Sequence, residues 1–570
     1  MLTLFRRKPF YPLAFLVGSS LATAEQLEAV TNDQAAQAWQ QNNLGGQTPQ
    51  LVQQEDGGTR IEWKGGVTAD VYTNNVTTAN GSINTPFRSG TFYKGMVQSD
   101  LRGINAQAGT VNYFQFGATH TNDRAVLSLY PRQINNIQFG RSGTGYLVAA
   151  GDIAPNFSSL SSALGARGAI GQKQIGDNTV YAYGGVVAES WEALENTVTR
   201  NQFLRDVVGV KLENAYSQNL KLYATGQAGA DRAGSITNPL LPPSILTAKL
   251  RAYSTGFQYA QGAYQLAGET AASGYQQNTQ AGRNGRAHIL DGGWRGEALA
   301  LRAGYHAIDP EFASLSTMVS AGIKEAYVSG DWTAASWLTL GADLRNSKNT
   351  TLAVIGFPSQ TTDTDSAAAR ANINFGPDLP GWGLSLNQNA SESRDALANT
   401  SRNGQRAAML NYASPNWTAG LGYGFGETRN SASPTMDSDT TSWQLTLGRS
   451  LSDADNTLPS SWSLNINFNA ALQDQQLLSG ISTRNLNYSL TFTGQRAGWG
   501  NLNLLLSSGL VTRPFGQADL KLRSAQLEAV HPFSPMSGIK LYLRDTRSNI
   551  GDPLLGYDES VAGVQYTHNF

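Results

Sequence analysis

The chain has 570 residues, of which 15% are charged, with a formal net charge of −1 and no cysteine. That charged fraction lies well below the usual quarter or so, and a near-neutral balance offers no basic stripe to release counterions from nucleic acid. Without thiols there is neither a disulfide framework nor cysteine chemistry.

Residues 1–24 read as a cleavable secretory signal peptide. Arg6, Arg7 and Lys8 precede an apolar run from about Pro9 to Val17, and Ala22-Thr23-Ala24 forms the cleavage site. The run is too short for a membrane-spanning helix, which needs about 20 apolar residues. Cleavage removes those three cations and no acidic residue, taking the net charge from −1 to −4. Residues 25–58 read as a short N-terminal periplasmic segment, rich in Gln, Glu, Asp and Ala. Asn32-Asp33 is placed to cap a short helix. Leu27, Val30 and Trp39 offer it only a narrow apolar face, so a tail is favoured over a docking segment.

From about Arg60 the pattern changes to period-two alternation broken by Gly, Asn, Asp, Ser and Pro. No later window is apolar enough to span a membrane as a helix, but hydropathy is blind to barrels, whose strands alternate lipid-facing and lumen-facing residues.

The stretch 141–177 interrupts this meander. Tyr146 to Ile153 reads as a strand, and 154–177 reads as one loop, too long and apolar for a periplasmic turn. It is expected either as an ordinary extracellular loop or as a lumen-inserted gate. In the second case Phe157 and Leu160 pack inside, while Asp152 and Arg167 stand in the pore. The order strand, Gly-Asp, Pro, Phe, Arg-Gly is loosely similar to fimbrial usher barrels just before their plug, over about thirty residues. No plug-sized domain and no Cys-bearing C-terminal domain accompanies it, so no usher residue role is carried over.

Further along, Glu189, Trp191, Glu192 and Glu195 read as an acidic, solvated loop. Arg251, Arg302, Arg345 and Arg370 fall inside strand segments and are expected to face the lumen beside acids such as Asp343. A cation facing lipid at midplane costs about 2–4 kcal/mol. Asp363 and Asp365 lie in a stretch read as a loop, with a calcium site the minor alternative. The five histidines form no HExxH or paired metal spacing, and no G-x-S-x-G elbow occurs. The sequence therefore predicts neither an enzyme nor a cofactor.

The clearest strand puts Trp462, Leu464, Ile466, Phe468, Ala470 and Leu472 on one face, against Ser463, Asn465, Asn467, Asn469 and Gln473 on the other. Polar faces are rich in Asn, Ser, Thr and Gln rather than Lys and Glu. Trp337, Trp382, Trp417, Trp443, Trp462 and Trp499 gather near strand ends, as in an interfacial girdle. The last strand places Val564, Tyr566, His568 and Phe570 on one face and stops at Phe570. That ending resembles the C-terminal assembly signal of bacterial outer-membrane β-barrels, with His568 departing from the usual aromatic or apolar residue. The resemblance implies outer-membrane lipids and the insertion machinery as partners.

The expected fold is all-β: a transmembrane antiparallel up-and-down barrel over 59–570, of roughly 22–26 strands. Its closing strand passes through Ile61, Trp63 and Val67. Four functions are weighed. Export of a macromolecule, a polypeptide or a neutral polysaccharide, fits the strand count and the uncharged lumen. A passive or selective porin is the alternative, although porins use 16–18 strands. A TonB-dependent importer needs a plug larger than 25–58, and an adhesive barrel needs longer loops.

Overall fold

In the computed structural model, the chain from Thr59 to Phe570 forms one 26-stranded antiparallel sheet, closed by pairing its first strand with its last. The structure describes residues 59–78, 88–123, 132–155, 157–160, 166–195, 199–239, 241, 246–278, 282–315, 321–353, 358–452, 462–496, 498–513, 519–550 and 556–570. The expected signal peptide 1–24 and periplasmic segment 25–58 lie outside the described residues.

The first three strands are β1 (Thr59–Thr78), β2 (Gly90–Asn105) and β3 (Thr110–Thr121). A run of shorter ones follows: β4 (Arg132–Gly143), β5 (Tyr146–Ile153), β6 (Ala166–Ile175), β7 (Asn178–Val187) and β8 (Arg205–Ala215). Next come β9 (Leu220–Asp231), β10 (Ala248–Gln261), β11 (Tyr264–Gln277), β12 (Arg283–Arg295) and β13 (Leu299–Ile308). The second half begins with β14 (Ile323–Ala335), β15 (Leu338–Thr350), β16 (Thr361–Asn374), β17 (Trp382–Asp395) and β18 (Thr400–Ala413). It continues through β19 (Trp417–Asn430), β20 (Ser438–Ser452), β21 (Trp462–Leu477), β22 (Ser482–Arg496) and β23 (Gly500–Thr512). β24 (Leu520–Pro532), β25 (Ser537–Ile550) and β26 (Tyr557–Asn569) complete the circuit. Each strand pairs with its chain neighbours, so the topology is up-and-down.

The two rims differ. On the rim that carries Phe570, tight turns such as 144–145, 176–177 and 262–263 join the strands, whereas 188–204, 232–247 and 309–322 connect them on the other. Short turns mark the periplasmic side of such barrels and long loops the outer side. The Phe570 rim is the near rim and the opposite one the far rim.

Period two fixes which residues face out. In β8, Val208 is 57% exposed and Val207 only 1%; the exposed series Val208, Val210, Leu212 faces outward. Strand pairing carries the assignment round the barrel, and in β21 Phe468 lies between Leu447 and Leu490 on the outward face. Trp63, Trp382, Trp417 and Trp462 border this apolar belt at the near rim, with Arg449 4.5 Å above the Trp417 ring and Arg496 5.5 Å above Trp462. Trp443 instead stands with Tyr423 farther up the wall, ring centroids 4.7 Å apart. At the far rim the belt ends in outward ion pairs: Arg402 with Glu392 at 3.1 Å, Arg429 with Asp439 at 2.7 Å and Arg484 with Asp474 at 2.6 Å. An apolar belt with aromatic and charged borders is what a lipid bilayer selects, and a closed sheet leaves no unpaired edge within it.

Closure pairs Val67, Ala69 and Val71 with His568, Tyr566 and Val564. Gly65 N–H donates to the Phe570 carbonyl at 2.9 Å, and Phe570 N–H returns the bond to Gly65 at 3.0 Å. Gly65 is needed there, since a Cβ would stand 2.7 Å from the Phe570 ring. That ring instead packs on Trp63 at 4.5 Å between centroids. His568 is paired, its Nδ1 lying 2.7 Å from Ser537 Oγ.

Candidate functional site

The stretch 154–177 divides in the structure. β6 begins at Ala166 and pairs along β5, so 166–175 is strand rather than loop; between the two strands, Asn156 and 161–165 lie outside the described residues. Phe157 is 5% exposed and Leu160 1%. Phe157 sits with Ile153, Ala166, Tyr183 and Val207, on the inward faces of β5 to β8, its ring edge-on to Tyr183 at 5.3 Å. Leu160 sits in a second cluster with Ala271, Ala287, Ile289, Ile308 and Phe312, on the inward faces of β11 to β13. The loop therefore runs across the lumen wall from β5 towards β12. Glu269 of β11 anchors it, accepting from Ser158 Oγ at 2.5 Å and from Leu160 N–H at 3.4 Å.

A second loop follows β13, described over 309–315, and meets it from the other side. Ala313 N–H donates to Ser273 Oγ at 2.9 Å, and Gln227 Nε2 donates to Ser314 Oγ at 3.3 Å. Gly285 is required beneath it, because a Cβ there would collide with the Phe312 backbone. Leu315 packs against the first cluster. The two loops share a pattern: Ile153-x-Pro155-x-Phe157-x-Ser159-Leu160-Ser161 and Ile308-x-Pro310-x-Phe312-x-Ser314-Leu315-Ser316 match at six positions with identical spacing. Packing is reciprocal. Leu160 of the first copy is buried in the cluster that contains Ile308 and Phe312 of the second, while Leu315 of the second, partly buried, packs against the cluster that contains Ile153 and Phe157 of the first. Together they form a clasp across the β5–β13 wall. The sequence reading missed this partner loop and Glu269. The repeated motif was the available signal for the loop; a lone Glu in an alternating strand gave none.

Asp152 and Arg167 take a different place from the pore positions expected of them. They pair with each other in the β5–β6 ladder, next to Ile153 and Ala166, whose side chains point inward, so period two turns both away from the lumen. Asp152 Oδ2 accepts from Ile137 N–H and from Trp191 Nε1, each at 2.8 Å. Arg167 Nη1 donates to the Ala188 carbonyl at 2.5 Å, and its guanidinium lies 5.6 Å from the Trp191 ring. Trp191 opens a short helix, α1 (Trp191–Leu194), which Ser190 caps by accepting from Ala193 N–H at 3.1 Å. Glu192 accepts from Ile134 N–H at 2.7 Å. Trp191 and Glu192 are therefore tied to the rim rather than solvated, and Asp152 and Arg167 brace the neck of the loop.

Elsewhere in the lumen, besides the inward ion pairs of β8 and β9 (Lys211 with Glu213 at 2.9 Å and Arg205 with Asp231 at 2.6 Å), charges gather in two panels. On β12 to β16, Arg345 Nη1 donates to Glu325 at 3.2 Å, Arg370 pairs with Asp331, and Asp291 accepts from Tyr327 OH at 2.8 Å. Arg302, Arg345 and Arg370 face inward as expected, with Glu325 and Asp331 rather than Asp343 as the acids engaged. Arg251 differs: it shares the outward face with Tyr253, near the far end of β10. Asp363 and Asp365 lie in strand β16, not a loop, and face outward, Asp363 3.4 Å from Lys348 Nζ and Asp365 accepting from Asn346 at 2.6 Å. The second charged panel spans β24 to β3 and includes Arg544 with Glu559 at 3.1 Å and Arg102 with Asp100 at 2.7 Å. Between the two, the inward positions of β17 to β23 hold no Lys, Arg, His or Glu, and one Asp, Asp395. They are rich in Asn, Gln, Ser and Thr.

No family model matches the sequence, and no curated protein matches it. Among solved structures, the chain is similar to the siderophore receptor PirA from Pseudomonas aeruginosa, at 12% identity over 90% of this chain and 81% of that one, with a TM-score of 0.34. It is similar to the copper transporter OprC at 9% identity, over 91% and 82% of the two chains, with a TM-score of 0.40. The P pilus usher PapC translocation pore gives 10% identity over 90% and 99%, with a TM-score of 0.35. At these scores the likeness carries no argument about function.

Proposed function

We propose that this chain is an outer-membrane channel that translocates a macromolecule, a polypeptide or a neutral polysaccharide, and rests closed behind the clasp formed by 157–160 and 309–315. The observation that carries this is a 26-stranded barrel whose lumen wall from β5 to β13 is covered by two interlocked loops. A barrel of this circumference encloses an aqueous or plugged lumen, while porins for small solutes use about 16–18 strands.

The energetics suit a gate. Burying Phe157 and Leu160 contributes about 3–6 kcal/mol together, and fixing residues 157–160 costs about 4–8 kcal/mol of backbone entropy. The clasp is thus held by a small difference, which Glu269 and the second loop tip towards closure. Replacing 157–160 with a Gly-Ser linker and recording single-channel currents in planar bilayers tests the reading. Larger conductance steps than those of the unaltered chain are expected. Unchanged conductance overturns the gate, and a pore too small to pass polymers favours the porin.

A further inference from the structure

We infer that the amide-lined panel of β17 to β23 is the track for a neutral, hydroxyl-rich polymer, an uncharged polysaccharide; this rests on the channel reading above and names its cargo. Asn387, Asn389, Gln405, Gln444, Asn467 and Asn487 all point inward and are solvent-exposed. An amide offers both donors and an acceptor, and a hydroxyl does the same. The panel already makes such exchanges within itself: Asn487 Nδ2 donates to Asn485 Oδ1 at 2.9 Å, and Ser450 Oγ to Asn465 at 2.6 Å. A sugar hydroxyl can take either role at each point.

Geometry supports passage rather than capture. Inward positions repeat about every 4.8 Å across strands and every 6.6 Å along them, making a grid of similar weak sites. Transport needs binding weak enough, and sites numerous enough, for the cargo to leave each one.

Charge excludes the other polymers. A polyanion calls for cationic excess, and the panel has none. A polypeptide of ordinary composition is about a quarter charged and would meet no counter-charge over seven strands. Asp395 is engaged in its own far-rim turn, accepting from Leu397 and Asn399 N–H at 2.9 and 2.8 Å and from Asn399 Nδ2 at 2.8 Å. The flanking panels hold charges of both signs in ion pairs, such as Arg345 with Glu325.

The absence of native cysteine makes the test specific. Asn467→Cys and Asn487→Cys, each in the full-length protein in detergent, are labelled with a small maleimide in the presence of linear dextran, dextran sulfate of equal length, or unfolded casein. Lys540→Cys, on the opposite charged panel, is the reference. Dextran should slow labelling at Asn467→Cys and Asn487→Cys by about threefold or more, the equivalent of one net hydrogen bond, and leave Lys540→Cys less affected. Dextran sulfate and casein should protect less. Equal protection by all three polymers, protection by casein or dextran sulfate in preference to dextran, or protection by none would each overturn the inference. Because no current is recorded, this result is independent of the conductance test of the clasp.

Discussion

The wall from β5 to β13 and the wall from β17 to β23 are built from the same antiparallel ladder, yet their inward faces follow opposite rules. The first is mostly small and apolar beneath the two loops, with Ala166, Val207, Ala271, Ala287 and Gly285, and adds a few polar anchors, Glu269, Ser273 and Gln227. The second carries long amides with no loop packed on them among the described residues. An inward residue that meets protein must fit a shape, whereas one that meets water must satisfy hydrogen bonds. The two walls should therefore answer mutation in different ways.

The largest effect is expected from the combined Phe157→Ala and Phe312→Ala variant. Each substitution empties a buried aromatic site worth about 3–5 kcal/mol, and channel recordings should show a persistently open state. A closed wild-type-like trace would mean that the clasp does not cover the conduction path. Gly285→Val comes next, since its side chain must displace the Phe312 backbone at a cost of about 1–3 kcal/mol. Limited proteolysis within 309–315 should accelerate accordingly, and an unchanged rate would place that loop off the wall. Glu269→Gln keeps an acceptor for Ser158 but gives up the charge, so a loss of about 1–2 kcal/mol is expected, smaller than for Glu269→Ala. Thermal unfolding followed by electrophoretic mobility would rank the two, and the reverse order would contradict the hydrogen-bond account. Asn467→Ala, on the open wall, should fall within about 0.5 kcal/mol of the parent in the same assay. A loss as large as that of Glu269→Ala would show that something unaccounted for rests on the panel.

The barrel itself was legible in the sequence because lipid and water impose a strict period of two. The face shared by Trp462, Ile466 and Phe468 needed no tertiary information, and the closing pair of Ile61-Trp63-Val67 with the Phe570 strand follows from closure. What escaped depends on contacts between segments distant in the chain. Phe157 and Leu160 stood out as apolar residues in a Gly- and Ser-rich stretch, but Phe157 meets Tyr183 and Val207 of later strands, and the partners of Leu160, Ala287 and Ile308, lie more than a hundred residues away. Asp152 and Arg167 were assigned to the pore on charge alone; one-residue offsets from Ile153 and Ala166 decide that they face α1 instead. Asp363 and Asp365 looked like loop because Thr, Asp and Ser dominate there, yet charged outward positions are tolerated above the apolar belt.

The reciprocal packing of the clasp has a consequence for how the channel would behave in time. Each loop packs its leucine against the cluster that holds the other's phenylalanine, Leu160 as a buried member and Leu315 as a partly buried one. Half-opened arrangements therefore forfeit contacts on both sides at once and are disfavoured relative to either end state. Such a device is cooperative. Its opening should be all-or-none, with currents that jump between two levels rather than drift, and with a coupling energy between Leu160→Ala and Leu315→Ala that a double-mutant cycle can measure.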